Sequence, residues 1–413
     1  MKKHRRSRRK LWIILFFLMT LMGCVKGKEP EEKIELTIIH GWGSTEKDHA
    51  AMCQIYQDFE SKNPDIILNM VSMPSSTDVI SKVGDLLAVG NVPDIIFTGG
   101  EGRESIYDFM VEHNYAMDLS PYLETDASFA EDISPVITDY WRTKEGKLYT
   151  VSDVLLMGGY WYNEEIFENA GIEKAPATWE EWMEVCEKLS KMEGGVSPMI
   201  LDADHISYLM TAILADENKA ELEGEFINTD TPAFANMLER LKEISKYAVW
   251  EENYTYRDTL SAFNAGESAI YINGAWANLM IDSDIPVAYA PFPSEDGKGI
   301  ATQSACVGYI LGNTGDEKRM HASVEFLKYM LSETTALRIM ETTGQIPSNP
   351  NVEITAETAG QRLEQAVKSV KNAGLIVETP ENLWNLSEKK EYGKNVILFL
   401  QDELTMQELC QRL

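Results

Sequence analysis

Basic side chains are in short supply: 37 Lys and Arg stand against 66 Asp and Glu, a formal net charge of −29. A chain this acidic is repelled by nucleic acid and by anionic membrane surfaces, which excludes both as partners. Cysteine is also sparse. Cys24, Cys53, Cys186, Cys306 and Cys410 contain no C-x-x-C pair, which excludes zinc knuckles and thioredoxin-like redox chemistry. Six histidines are scattered and H-E-x-x-H is absent, so no metal site and no cofactor is expected. G-x-S-x-G is missing too. The S-x-x-K at Ser44 and Lys47 lacks its partner motifs and recurs by chance at Ser387 to Lys390, and Glu46 stands where a dinucleotide-binding loop needs its last glycine. The longest N-terminal apolar run, Leu11 to Leu21, is far short of the roughly 20 residues of a spanning helix.

What is present is a soluble globular composition, 44% hydrophobic and 25% charged, in a chain of 413 residues that is too long for one ordinary core. The first 23 residues stand apart. Seven basic side chains (Lys2, Lys3, Arg5, Arg6, Arg8, Arg9 and Lys10) precede the short apolar run, the form of an export signal. It ends Leu21-Met22-Gly23-Cys24, which looks like a bacterial lipobox, in which the cysteine receives a diacylglycerol before the signal is removed. The weaker alternative is an N-terminal membrane anchor with an incidental Cys24. Lys26 to Lys33 reads as a short polar tether. Removing seven basic and no acidic residues takes the charge from −29 to −36. With Cys24 lipidated, the other four cysteines read as small buried hydrophobes.

From Leu36 the pattern alternates strands and helices. Leu36 to His40 is β-rich, and Ser44 is placed to cap a helix with the stripe Met52, Ile55, Tyr56 and Phe59. Ile66 to Val71 is a strand, a helix carries Val79, Val83, Leu86 and Leu87, and Asp94 to Thr98 is the third strand. Such β-α-β-α-β order predicts a parallel sheet covered by helices, with ligands outside the carboxyl ends of the strands. Those ends are His40-Gly41-Trp42-Gly43-Ser44 and Thr98-Gly99-Gly100-Glu101. Their glycines suit tight turns equally well, but Trp42 has little local core to enter.

Gly158 to Tyr162 reads as a glycine-led strand, followed by a short helix ending at Gly171. Thr178 then opens a helix with Glu181 reaching back as in a capping box, and Trp179, Trp182, Met183, Cys186 and Leu189 on one face. Later come Met199 to Leu201, the segment Asp202 to Tyr208, a helix after Thr231-Pro232, and a helix end, strand and turn from Phe263 that presents Trp276.

Five local patterns, in order, resemble the family-1 extracellular solute-binding proteins of ABC importers. They are Val89-Gly90-Asn91-Val92-Pro93-Asp94-Ile95-Ile96, Tyr162-Asn163 through Thr178-Trp179, Phe263 through Trp276, Ala290-Pro291-Phe292-Pro293, and Glu325-Phe326-Leu327-Lys328 through Gly344-Gln345-Ile346-Pro347. The resemblance runs from about Ile34 to the C-terminus. It implies an α/β, two-lobe periplasmic-binding-protein-like fold, each lobe a mostly parallel sheet flanked by helices, with the ligand cleft between lobes. The lobes implied are 34–151 with 306–343, and 152–305 with 344–413, after the signal 1–23 and tether 24–33.

Carried over residue by residue, the resemblance gives Trp276, Trp384 and Tyr208 as aromatics that stack on sugar rings, and Glu101 as a polar contact, although Thr98-Gly99-Gly100 departs from the usual bulky sequence there. Trp42 and Ser44, from the first loop end, and Asp202 and Asn273, near the other loops, complete the expected ligand set. An aromatic face suits a pyranose because its C–H face is apolar while its hydroxyl rim needs acceptors. Trp179 and Trp182 read instead as core.

The function implied is a lipid-anchored monomer on the extracellular, Gram-positive-type face of the cell membrane. It captures a neutral sugar or oligosaccharide and hands it to ABC permease transmembrane subunits, and it is not an enzyme. The alternatives are an adhesion or signalling lipoprotein of the same fold and, below it, a glycan-acting enzyme with a carboxylate pair.

Overall fold

The computed structural model describes residues 33–45, 47–98, 106–224, 227–250, 254–384 and 389–413. The expectations for the export signal, Cys24, the tether and Glu101 lie outside these residues. Among the described residues, no helix is long and apolar enough to cross a membrane.

Two sheets carry the fold. The first combines β1 (Ile34–His40), β2 (Ile66–Ser72), β3 (Ile95–Phe97), β4 (Thr150–Val151) and β11 (Tyr309–Leu311) in the order β2-β1-β3-β11-β4. Its first three strands are parallel, with Ile34 opposite Ile66 and Ile38 opposite Ile95, as the alternation with helices dictates. The helices Lys47–Lys62 and Ser76–Ala88 cover it with the expected Met52, Ile55, Tyr56, Phe59, Val79, Val83 and Leu87. The cap expected of Ser44 adjoins Glu46, outside the described residues; the serine meets His49 through its hydroxyl (2.8 Å) and its backbone N–H.

The second sheet runs β13-β10-β5-β8-β6-β7 and has β9 and β12 added onto β5. Its strands are β5 (Val154–Asn163), β6 (Ser197–Ile200), β7 (Ala248–Val249), β8 (Ser268–Gly274), β9 (Val287–Ala290), β10 (Ile300–Ser304), β12 (Ile346–Pro347) and β13 (Leu375–Val377). Pairing along β5 is antiparallel, whereas β6–β7, β6–β8 and β10–β13 are parallel. The period-2 alternation sends Tyr160, Ile270 and Ile272 to one face and Trp161, Tyr271 and Tyr289 to the other, so both faces of this sheet are buried.

Caps set the helix starts. Thr178 accepts from the Glu181 N–H, and the Glu181 carboxylate reaches back to the Ala177 N–H at 2.7 Å, one residue further than a simple capping box. Asn163 caps Glu164–Asn169, and Thr231 caps Pro232–Ser245. Trp179 and Trp182 are buried, and Cys53, Cys186, Cys306 and Cys410 form no disulfide among the described residues and are buried or half-buried. β4 begins at Thr150, where pairing with β11 starts.

The chain passes from the first sheet to the second between Val151 and Val154, returns between Ser304 and Tyr309, and reaches β12 after Gly344. Hydrogen bonds tie these crossings together. The Ser152 hydroxyl and the Trp141 indole N–H (2.7 Å) both donate to the Ala305 carbonyl, and the Ser348 hydroxyl donates to the Ser152 carbonyl at 2.6 Å.

Candidate ligand cleft

A cleft of about 480 Å³ opens between the two sheets, and its walls come from both. On the first lobe the loop after β1 supplies Gly41 and Trp42, its helix supplies His49 and Met52, and the strand end supplies Phe97. On the second lobe His205, Tyr208, Tyr256, Arg257, Trp276 and Glu381 face them. Asp153, Val154, Val307 and Gln345 form the floor, on or beside the crossing segments. Apolar rings facing a few convergent polar groups are what small-molecule sites are made of.

Trp42 lies tilted on Phe97, with centroids 4.9 Å apart, and meets His49 edge-on at 5.0 Å. Its indole N–H donates to the Tyr56 hydroxyl (3.1 Å), which is 3.0 Å from that of Tyr309, and Tyr309 donates to Asp153 Oδ2 at 3.1 Å. Burial raises the Asp153 carboxyl to about 6, against the pull of the Tyr309 hydrogen bond. Burial, and to a lesser degree His49, lowers the His40 imidazole beside Tyr56 to about 4.

Across the cleft Tyr208 and Trp276 sit 6.2 Å apart on a bare patch of sheet. Gly158 and Gly274 are directly opposed in register. A Cβ on Gly158 would overlap the Tyr208 ring, and one on Gly274 would overlap that of Trp276. The Tyr208 hydroxyl donates to both oxygens of Glu381 (3.0 and 3.1 Å), which also pairs with Lys389. Burial alone would raise the Glu381 carboxyl; the Lys389 ammonium and these hydrogen bonds outweigh it and hold the group below the ordinary carboxylate range.

The expected residues therefore divide. Trp42, Tyr208 and Trp276 line the cleft, Tyr208 from within the helix Ile206–Asn218 rather than from a loop. Asp202 is buried behind them, accepting from the Asp204 and His205 N–H groups (2.9 and 2.8 Å) and from Thr259 (3.0 Å), so it holds His205 in place. Asn273 folds back on Tyr271 and on the Gly274 N–H. Ser44 braces His49. Trp384, 4% exposed, lies in the second-lobe core beside Phe234, its indole N–H donating to Thr211 at 2.8 Å. The helix Pro380–Leu383 turns Glu381, not Trp384, toward the cleft. His49, Asp153, His205, Tyr256, Arg257, Gln345 and Glu381 were not foreseen. Only Asp153 and Gln345 had a local signal, their places beside expected crossings.

The model of the bacterial extracellular solute-binding proteins matches residues 54–364. A multiple sugar-binding protein of Streptococcus mutans is 23% identical over 358 residues, which is 82% of this chain and 81% of that protein. A Streptococcus pneumoniae solute-binding protein solved in complex with the blood group A-trisaccharide superposes with a TM-score of 0.74 at 23% identity, covering 91% of this chain and 97% of the other. A chitin oligosaccharide binding protein does so with a TM-score of 0.77 at 20% identity over 92% and 97%. These likenesses show the fold: two α/β domains with the cleft between them.

Proposed function

Since the chain belongs to the bacterial extracellular solute-binding proteins, a family that binds substrates and does not transform them, we propose that it captures a short oligosaccharide between its lobes and delivers it to an ABC permease. The observation that carries this reading is the pair of aromatic platforms facing one another across the cleft, Trp42 with Phe97 on one lobe and Tyr208 with Trp276 on the other. Two platforms with carboxylates between them suit rings that are apolar on their faces and hydroxylated at their rims. The similar proteins, a multiple sugar-binding protein, a solute-binding protein in complex with the blood group A-trisaccharide and a chitin oligosaccharide binding protein, support the same class of ligand.

The lobes proposed are 34–151 with 306–343 and 152–305 with 344–413. The ligand set is Trp42, Tyr208 and Trp276 together with Asp153, His205, Tyr256, Arg257 and Glu381. Ser44, Asp202 and Asn273 support it from behind, and Glu101 stays a candidate contact. The basic segment, short apolar run and Leu-Met-Gly-Cys end support anchoring of a monomer through a lipid on Cys24, at the outer face of a Gram-positive-type membrane.

The test is a thermal-shift screen of the mature protein against mono- to tetrasaccharides of glucose, galactose, fructose and N-acetylglucosamine. A ligand at about 100 times its Kd adds about 2.7 kcal/mol to folding, a readily measured rise in Tm. A flat response across the whole panel sinks the carbohydrate reading. Anchoring is tested separately, by whether Cys24→Ala releases the protein from the membrane fraction.

A further inference from the structure

Asp153 occupies an unusual position. It sits in the two-residue link between β4 of the first lobe and β5 of the second, is 2% exposed, and contributes to the floor of the cleft. One of its oxygens, Oδ2, accepts from Tyr309; the other, Oδ1, has no hydrogen-bond partner. A buried carboxylate oxygen left unmatched is costly, and binding sites are a common reason for keeping one.

The direction of the chain behind it is fixed by chemistry. An indole N–H can only donate, so the Tyr56 oxygen accepts from Trp42. The single Tyr309 proton goes to Asp153 Oδ2, so between the two tyrosines Tyr56 donates and Tyr309 accepts. All three donors run one way, from an aromatic wall of the cleft to its floor. They occupy one lone-pair site of Oδ2, leave Oδ1 without a donor, and favour the ionised form, since each bond polarises the next.

We propose that Asp153 is the acceptor on which a ligand hydroxyl is anchored, and that Tyr309 and Tyr56 are positioning residues that keep this carboxylate ionised and aimed. Because the residue lies in the link between lobes, a hydroxyl bound to Oδ1 joins the ligand to the hinge itself. The inference rests on the carbohydrate reading above. The titratable groups on the same cleft are His49, His205, Tyr208, Tyr256, Arg257 and Glu381, the last neutralised by Lys389; His40, packed on Tyr56, stays neutral above its lowered pKa of about 4.

Asp153→Asn, which keeps the shape, is compared with the wild type in two ways. In the ligand-free protein the carboxyl is raised from 3.8 to about 6. Its favourable contribution to folding is therefore complete below about pH 4 and lost as pH rises through 6. The variant should melt higher than the wild type above pH 6 and no higher at pH 4. A structural carboxylate gives the reverse, a lower Tm at pH 8, and overturns the proposal without any ligand.

The second measurement titrates, by calorimetry, the sugar from the panel that raises the wild-type Tm most. Wild-type affinity should fall about tenfold between pH 8 and pH 5, and Asp153→Asn should lose at least about tenfold at pH 8. Tyr309→Phe should weaken binding at pH 8, though less than Asp153→Asn does, and shift the midpoint to higher pH, which a purely structural tyrosine does not do. Equal affinity of Asp153→Asn and wild type overturns this inference and leaves the carbohydrate reading intact. A panel that yields no ligand sinks the carbohydrate reading, and the inference with it.

Discussion

Trp42, Trp276 and Trp384 carry the same side chain into different surroundings, and the surroundings set what each can do. Trp384 spends its N–H on Thr211 and packs by Phe234, both far away in sequence. Trp276 is half-buried and keeps part of its ring on the cleft. Trp384→Ala should therefore lower stability by about 3 to 5 kcal/mol, the scale of a lost core aromatic, and leave affinity within about threefold. Trp276→Ala should weaken sugar binding roughly ten- to hundredfold, about 1.4 to 2.8 kcal/mol, with a smaller change in Tm. Calorimetric affinity and melting of both variants check this; a ligand-free Tm that falls as far for Trp276→Ala as for Trp384→Ala counts against a stacking role. The two tryptophans looked alike in sequence because the resemblance assigns both to sugar stacking. What covers Trp384 comes from segments some 150 to 170 residues away, and no local pattern records that. For the same reason Asp202 and Asn273 could not be read as supports that stand behind the cleft wall.

At the scale of the element, the cleft wall depends on two strands being bare at one register. β5 and β8 bring Gly158 and Gly274 face to face, and the missing side chains make room for Tyr208 and Trp276. Gly274→Ala keeps an ordinary backbone there, since its φ is −76°, but drives a methyl group into the indole. Its expected effect is a loss of affinity of the size seen for Trp276→Ala, and no further loss when the two are combined, because both remove the same ring from the cleft. Additive losses in calorimetry of the double variant would break that link. Elements themselves were largely legible: amphipathic stripes, Thr178 and Thr231 caps and the glycine-led strand all report local physics. Short pieces were not. β12 is two residues long and exists because β5 lies beside it.

The whole molecule is two lobes whose relative position rests on three crossings and a few cross-lobe contacts. At the crossings, Ser152, Ala305 and Ser348 are bonded to one another through short polar links, so bending there redistributes over several residues. Away from them, the Tyr140 hydroxyl on the first-lobe helix Pro135–Trp141 donates to Asn382 on the second-lobe helix Pro380–Leu383. Asn382 is itself held by Ser304 (2.8 Å) and Glu378 (2.9 Å), so the bond meets a fixed acceptor. A contact of this kind exists only in the arrangement seen here, and its free energy, about 0.5 to 1.5 kcal/mol, biases the lobes toward that arrangement. Tyr140→Phe removes the donor and keeps the ring. A ligand that needs both walls then has to restore the arrangement itself, which lowers apparent affinity by the fraction of competent protein lost. The expected result is a two- to tenfold weaker Kd, carried mainly by faster dissociation. In solution scattering, saturating sugar should compact the wild type, and ligand-free Tyr140→Phe should have a radius of gyration no smaller than ligand-free wild type. An unchanged radius of the wild type on saturation would show that capture proceeds without lobe motion, and a Tyr140→Phe variant with wild-type kinetics would remove this bond from the mechanism.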